Sequence, residues 1–396
     1  MVYQMKNLIL LVICFLTVLF SSCGQTNTSS LNNLAELLDP LRLKVGKAPG
    51  SVETADFNHD KIPDLAVTSE LDTNVTILLG NGKGGFTQAT GSPFFAGHAP
   101  NDIAIGDFNN DSNPDLAFAN HERKYLTVLF GRGDGSFVAS SKSPFPVEVL
   151  PHTHGVASGD FNSDHRLDLV TDSWGNDQIE ILFGDSINGF KIPGTFFKVG
   201  DHPYQRIRVA DLNNDGKADI VTTNLEGNNV TVLLCDGKGN FSSLPGSPFP
   251  CGDAPFGVAI GDLNADGKPD LAIINSPAST GGASTGTNGL TVLLGDGTGN
   301  FAMMKGSPFE AGKVPNRVAI GDVNGDEIND IVTSDNGNNK IYLFLMSKAG
   351  SVVSQSAITV GNSPKGVAVA DLNGDGMGDI VVCNNADNDI SIIMSK

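Results

Sequence analysis

The chain lacks most of what marks a nucleic-acid binder or a common enzyme. Its 396 residues hold 25 Lys and Arg against 44 Asp and Glu, and a formal charge of −19 excludes an electrostatic grip on a phosphate backbone. There is no Ser-His-Asp order, no nucleotide-binding glycine loop and no zinc-ligand spacing. No long stretch of helical periodicity follows the N-terminus, which removes helical bundles. Cysteine is scarce: beyond the N-terminal segment only Cys235, Cys251 and Cys383 remain, an odd number without metal-ligand spacing, so no disulfide framework is implied. Cys235 and Cys251 are expected at opposite edges of one sheet, too far apart to bridge, and all three read as small buried or half-buried apolar residues.

What is abundant is glycine (47), proline (20) and β-branched residues, the composition of an all-β protein. The string Asp-x-Asn-x-Asp-x-x-x-Asp occurs seven times, beginning at Asp56, Asp107, Asp160, Asp211, Asp262, Asp322 and Asp371 and running each time into an apolar segment. Its intervals of 49 to 60 residues match units that bury a core only by stacking. In the fifth repeat, residues 257–261, 271–274, 290–294 and 301–309 read as four strands joined by loops and a glycine-rich turn. The last repeat lacks its fourth strand, and the segment starting at Leu41 resembles the fourth strand of repeat six. The expectation is an all-β, seven-bladed β-propeller of four-stranded blades over residues 41–396, its ring closed by the N-terminal strand completing the last blade. Length alone would suggest two or three domains, but the even repeat overrides it.

Positions 1, 3, 5 and 9 of each string carry side-chain oxygens. They are Asp56, Asn58, Asp60 and Asp64; Asp107, Asn109, Asp111 and Asp115; Asp160, Asn162, Asp164 and Asp168; Asp211, Asn213, Asp215 and Asp219; Asp262, Asn264, Asp266 and Asp270; Asp322, Asn324, Asp326 and Asp330; and Asp371, Asn373, Asp375 and Asp379. An oxygen-only set suits a hard, flexibly coordinated cation, which points to calcium, up to seven ions, over magnesium. Turn-capping alone would need fewer charges, since carboxylates about 5 Å apart repel by roughly 1–3 kcal/mol per pair. Seven divalent ions would bring the formal charge from −19 to −5. Glycine stands at position 6 only in the loops from Asp211, Asp262 and Asp371, which are expected to bind most tightly, and the loop from Asp160 least.

On these residues the chain resembles the FG-GAP or VCBS repeat family, whose calcium-loop propellers include the head of integrin α chains. The resemblance covers roughly residues 41–396. It implies fold and calcium, but the family includes adhesins, lectins, scaffolds and a few polysaccharide-cleaving enzymes, so it does not give function.

Residues 1–22 resemble a bacterial lipoprotein signal: Lys6, an apolar run over 8–20, then Ser21, Ser22 and Cys23. The resemblance implies lipidation of Cys23, a tether over 23–40 and contact with the membrane through the lipid anchor only. Gly24 is not the acidic residue associated with inner-membrane retention, so the expectation is an outer membrane lipoprotein of the cell envelope, with its side of that membrane left open. The calcium face is expected toward the membrane and the other face away.

That other face gathers His152, His154, Tyr204, Arg206, Arg317 and Lys365 before the first strands, and Trp174 in a connection between second and third strands. The expectation is a monomeric binding or adhesion module whose ligand is a glycan, an anionic polymer or a protein, with Trp174 or Tyr204 stacking and Arg206, Arg317 and Lys365 pairing acidic groups. Nearer the axis five repeats place alanine where the others place Glu53 and Arg208, either a channel-plugging ion pair or a ligand contact. Two alternatives stay open. One is a polysaccharide lyase using His152, His154, Tyr204 and Arg206 as base and charge stabiliser; the other is a structural subunit of an envelope complex.

Overall fold

A computed structural model describes residues 39–185, 189–277 and 289–396. The expected signal, Cys23 and most of the tether lie outside the described residues, as does most of a Ser-, Thr- and Gly-rich insertion in the fifth repeat (residues 276–288). From residue 39 onward, seven antiparallel sheets stand in a ring, and the first strand of each neighbours the first strand of the next, the seventh against the first. This is the seven-bladed propeller that the repeat predicts. Blade 1 runs outward through Pro49–Ala55, Asp64–Ser69, Asn74–Gly80 and Phe86–Gln88. Blade 4 repeats it with Pro203–Ala210, Asp219–Asn224, Asn229–Cys235 and Phe241–Ser243. First strands begin earlier than expected, at Pro255 in blade 5, because a bulge between Pro255 and Gly257 prolongs the pairing.

The core lies between blades. All seven second strands, such as Asp64–Ser69 and Asp115–Asn120, are buried along their whole length, because a neighbouring blade covers each face. Such strands read as continuous apolar runs and not as alternation. Phe57, Ala66 and Ile77 of blade 1 pack with Ile103, Phe118 and Phe137 of blade 2, and the rings of Phe57 and Phe137 meet edge-on at 5.5 Å. Phe57 sits in the aspartate loop and Phe137 follows the Gly-x-Gly turn of the next blade, so loop and turn dock together: Gly135 N–H donates to the Phe57 carbonyl at 3.0 Å. Gly135 has φ +81°, and a Cβ there would meet Leu79 at 2.8 Å, so the turn requires glycine. Cys235, Cys251 and Cys383 are free and buried.

In blades 1, 2, 4 and 5 a Ser-Pro-Phe step interrupts the outer strand, with cis bonds at Ser92-Pro93, Ser143-Pro144, Ser247-Pro248 and Ser307-Pro308. The serine hydroxyl repairs the ladder: it accepts the third-strand amide of Ile77, Val128, Val232 or Val292 at 2.8 to 3.1 Å. Left unpaired, a buried amide costs about 1–3 kcal/mol. The ring closes as expected. Leu41–Lys44 pairs with Asp389–Ile393, Leu41 opposite Ile392 and Lys44 opposite Asp389. Arg42 fastens the seam, its Nη2 lying 2.6 Å from Asp389 Oδ1, 2.8 Å from Asp389 Oδ2 and 2.6 Å from Asp387 Oδ2.

Candidate functional site

Each aspartate loop hangs between the first and second strands of its blade. In the first loop the Asp60 amide donates to Asp56 Oδ1 at 3.1 Å and Asn58 Oδ1 at 3.0 Å, and the Lys61 amide to Asp56 Oδ2 at 2.8 Å, so the side chains of positions 1 and 3 gather round one turn of backbone. Position 6 is left-handed in all seven loops, with φ +67° at Lys61, +70° at Ser112, +64° at His165 and +64° at Glu327 beside the three glycines. Ranking the loops by that glycine is therefore incomplete: the backbone is shared, and non-glycine residues adopt it at a cost of roughly 1–2 kcal/mol.

The ninth aspartate has a structural task of its own. In every loop it is 0 % exposed; Oδ2 accepts the amide of position 2 and Oδ1 the amide at or just past the end of the third strand, as Asp64 does with Phe57 and Gly80, both at 2.8 Å. Burial pushes these carboxyls up, to about 6 at Asp64, Asp219, Asp270 and Asp379 and about 7 at Asp115, Asp168 and Asp330, while the two amide bonds pull them down. Carboxylates at positions 1 and 5 add to the upward push. The donor set is oxygen alone and its charges repel, so these residues fit a hard divalent cation.

The residues expected on the opposite face separate into two groups. Arg206 and Arg317 are each 4 % exposed and lie inside the ring, which corrects their expected role as surface partners of acidic groups. Arg206 pairs with buried Asp102, and Arg317 stands 6.0 Å over the Phe256 ring. Burial lowers both guanidinium pKa values, that of Arg317 to about 10, with the charge of Arg208 the next cause at Arg317. Lys365 is taken up by Glu70 at 3.0 Å. Glu53 and Arg208 occupy the register position that alanine fills elsewhere and meet across the axis at 3.7 Å, with Arg208 also 3.7 Å from Asp102. They form the channel ion pair. Cavities of about 300 and 360 Å³ adjoin it.

The second group comes together off the axis, where the entries to blades 3 and 4 meet the connections leaving the second strands of blades 2 to 4. There a pocket of about 620 Å³ is lined by His121, His152, His154, Trp174, His202, Tyr204, Leu225, Glu226 and Ala254. Trp174 opens the short 3-10 turn Trp174–Asn176 and stacks on His202, ring centres 4.3 Å apart and planes 18° apart. His202 is held by its amide to Asp177 Oδ1 at 2.9 Å and its Nδ1 to Glu226 Oε1 at 3.0 Å. Tyr204 packs on His154 at 4.2 Å. His154 is 1 % exposed, with Nδ1 3.2 Å from Asp172 Oδ2 and Nε2 3.2 Å from His152 Nε2. Burial lowers the pKa of His121, and that of His152 to about 4, with the neighbouring His154 adding to each shift. Both shifts favour the neutral imidazole.

Sequence reading named His152, His154, Trp174 and Tyr204 but missed Asp172, His202 and Glu226. Asp172 did carry a signal. At the fifth position of the second strand the other blades have Thr68, Ala119, Thr223, Ile274, Ser334 and Cys383, so it is the one carboxylate.

Residues 56–118, 107–171, 175–273 and 322–382 match the family described as FG-GAP-like repeat, and residues 254–293 match FG-GAP repeat. The chain is 26% identical over 182 residues to cartilage acidic protein 1 of Xenopus tropicalis, a stretch covering 43% of this chain and 28% of that protein. It thus spans under a third of the length of that relative. BBS1N, solved in complex with ARL6DN, superposes with a TM-score of 0.60 at 15% identity, covering 91% of this chain and 97% of that one. Virginiamycin B lyase from Staphylococcus aureus superposes with a TM-score of 0.55 at 13% identity, covering 90% and 99%. At these identities the two structures share the fold alone.

Proposed function

The chain belongs to the FG-GAP-like repeat family, and from that premise we propose that it is a calcium-stabilised binding module whose ligand is a glycan or a similar hydroxyl-rich ring compound. The observation that carries this reading is the pocket of about 620 Å³ on the face opposite the aspartate loops, with Trp174 stacked on His202 and Tyr204 beside them. Flat apolar rings next to hydrogen-bonding imidazoles and the Glu226 carboxylate suit a ligand with one apolar face and a polar rim. An anionic polymer has less support, because Arg206 and Arg317 are enclosed and Lys365 is paired. Calcium is supported by the recurring oxygen set and by the repulsion it would relieve. Anchoring through lipidated Cys23 in the outer membrane belongs to the same proposal; fatty-acid labelling that is lost in Cys23→Ser tests it.

The pocket is tested by a glycan array probed with the purified mature chain in calcium buffer. Trp174→Ala and Tyr204→Ala should each weaken a hit by about 0.5–1.5 kcal/mol, roughly two- to twelvefold. Hits unchanged in the double variant would refute the placement. One observation favours a catalytic alternative: His154 rests on buried Asp172 and directs Nε2 toward His152 beside the pocket, the arrangement of an oriented general base. Release of unsaturated sugar ends from uronate polymers would support it.

A further inference from the structure

The histidines of the pocket wall do more than surround an organic ligand. His121, His152 and His154 come from two blades, yet their candidate ligand atoms all lie within 4.8 Å of one another, and their ring centres are 4.7 to 4.9 Å apart in every pair. We propose that these three histidines form an open site for one zinc-class divalent transition-metal ion, with Asp172 as the positioning carboxylate.

Three features of the geometry point this way. First, the edge of a tetrahedron with metal–nitrogen bonds of 2.0–2.1 Å is about 3.3 Å, and His152 Nε2 and His154 Nε2 already stand 3.2 Å apart. Second, the ligand tautomer is preset. A carboxylate oxygen accepts, so the contact of His154 Nδ1 with Asp172 Oδ2 places a proton on Nδ1 and turns Nε2, the other ring nitrogen, toward His152. Asp172 cannot drift, because its Oδ1 accepts the amides of His154 at 2.9 Å and Gly155 at 2.7 Å. This is the carboxylate–histidine arrangement that fixes a metal ligand's orientation.

Third, the two segments are tied before any ion arrives. Thr153, between His152 and His154, is fully buried; its hydroxyl accepts the Asn120 amide at 3.0 Å and donates to the Asn120 carbonyl at 3.1 Å, and His121 follows Asn120 directly. All three histidines also line the pocket, so a fourth position would face solvent or ligand. Three imidazole nitrogens with one open position suit zinc and its first-row neighbours and suit calcium poorly, so this site differs in chemistry from the oxygen-only loops.

The inference concerns the same pocket as the proposed ligand site but stands on the histidines alone, and zinc titration without any sugar keeps the two failures apart. The full mature chain is stripped of metal, saturated with calcium and titrated with zinc, then with cobalt as a visible-absorbing replacement. One zinc per chain should bind beyond the calcium, and cobalt should give the intense bands of a four- or five-coordinate nitrogen site. His121→Ala and His152→Ala, each checked for an unchanged circular dichroism spectrum, should abolish the bands. Asp172→Asn should weaken zinc 10- to 100-fold and shift the cobalt spectrum, a readout that mere destabilisation would not move. Absence of stoichiometric zinc in calcium buffer, or zinc binding unchanged in both histidine variants, overturns the proposal.

Discussion

Replacing Asp270 by alanine tests the claim that the ninth aspartate staples each blade before any cation is considered. Its Oδ2 accepts the Leu263 amide at 2.9 Å and its Oδ1 the Gly295 amide at 2.8 Å, and the residue is 0 % exposed. Asp270→Ala leaves the buried Leu263 amide and the half-buried Gly295 amide without their partner, at up to about 1–3 kcal/mol each, so about 2–6 kcal/mol at most, a large part of a total near 5–15 kcal/mol. With roughly 350 ordered residues and about 2 cal/mol/K of unfolding entropy per residue, that is a fall of about 3–8 °C in Tm. Scanning calorimetry in EDTA isolates this part, since no divalent ion then contributes. The matched control is Asp266→Ala: that exposed fifth-position side chain accepts only from Lys268 within its own loop, so the substitution should lower Tm in calcium but leave it level or slightly raised in EDTA, where it relieves repulsion between the loop carboxylates. An Asp270→Ala protein that melts with wild type in EDTA would refute the staple.

Other outcomes follow from the same geometry. Chelation should lower Tm, because one site at 100-fold excess over its Kd contributes about 2.7 kcal/mol; an unchanged Tm in excess EDTA would remove calcium from the account. Arg42→Ala should open the seam, giving faster proteolysis within residues 41–45 while the other blades stay protected, and uniform cleavage along the chain would count against a local clasp. That clasp has a pH signature. The Asn362 amide, with the Arg42 guanidinium next, holds the Asp387 carboxyl at about 2, below an unfolded value near 3.9; the stability it lends is full above about pH 4 and lost as pH falls through about 2. The gap between wild type and Arg42→Ala, followed by urea unfolding, should narrow across that window; a gap of constant width would mean that Asp387 takes no part.

The fold was legible because one nine-residue string fixes several contacts together. Its ninth residue staples the third strand, its second residue packs under the next blade's turn, and its recurrence therefore counts blades. Closure was legible from a missing strand at one end and a spare one at the other. The ligand face was legible only in part. Counting back from each loop gives a position along the first strand but not its depth, and near the axis the first strands of opposite blades converge. Arg206, only two residues past pocket-lining Tyr204, is consequently enclosed by Asp102 and Ser51. The three-histidine cluster was hidden for a related reason. His121 is 31 residues from His152, and only the contact between blades 2 and 3 brings them together.

The pocket arises where blade 3 replaces a single-amide cap by a carboxylate that caps two. In blades 1 and 6 a hydroxyl on the second strand caps one amide near the start of the first strand: Thr68 accepts from Ser51 at 2.9 Å, and Ser334 from Arg317 at 3.1 Å. A hydroxyl has little left to offer after that. At the same place Asp172 caps two amides, His154 and Gly155, and still reaches the His154 ring. With both amides satisfied by one side chain, the backbone before Val156 need not pair with the second strand, and the first strand of blade 3 shrinks to Val156–Gly159 where that of blade 5 runs Pro255–Gly261. The released segment carries His152 and His154 out to the pocket and stays ordered through Thr153. Asp172→Thr should therefore give blade 3 the single-amide cap of blades 1 and 6, lengthen the strand and withdraw both histidines. Nuclear magnetic resonance of the imidazoles would show it, and unchanged histidine environments in that variant would contradict this origin for the site.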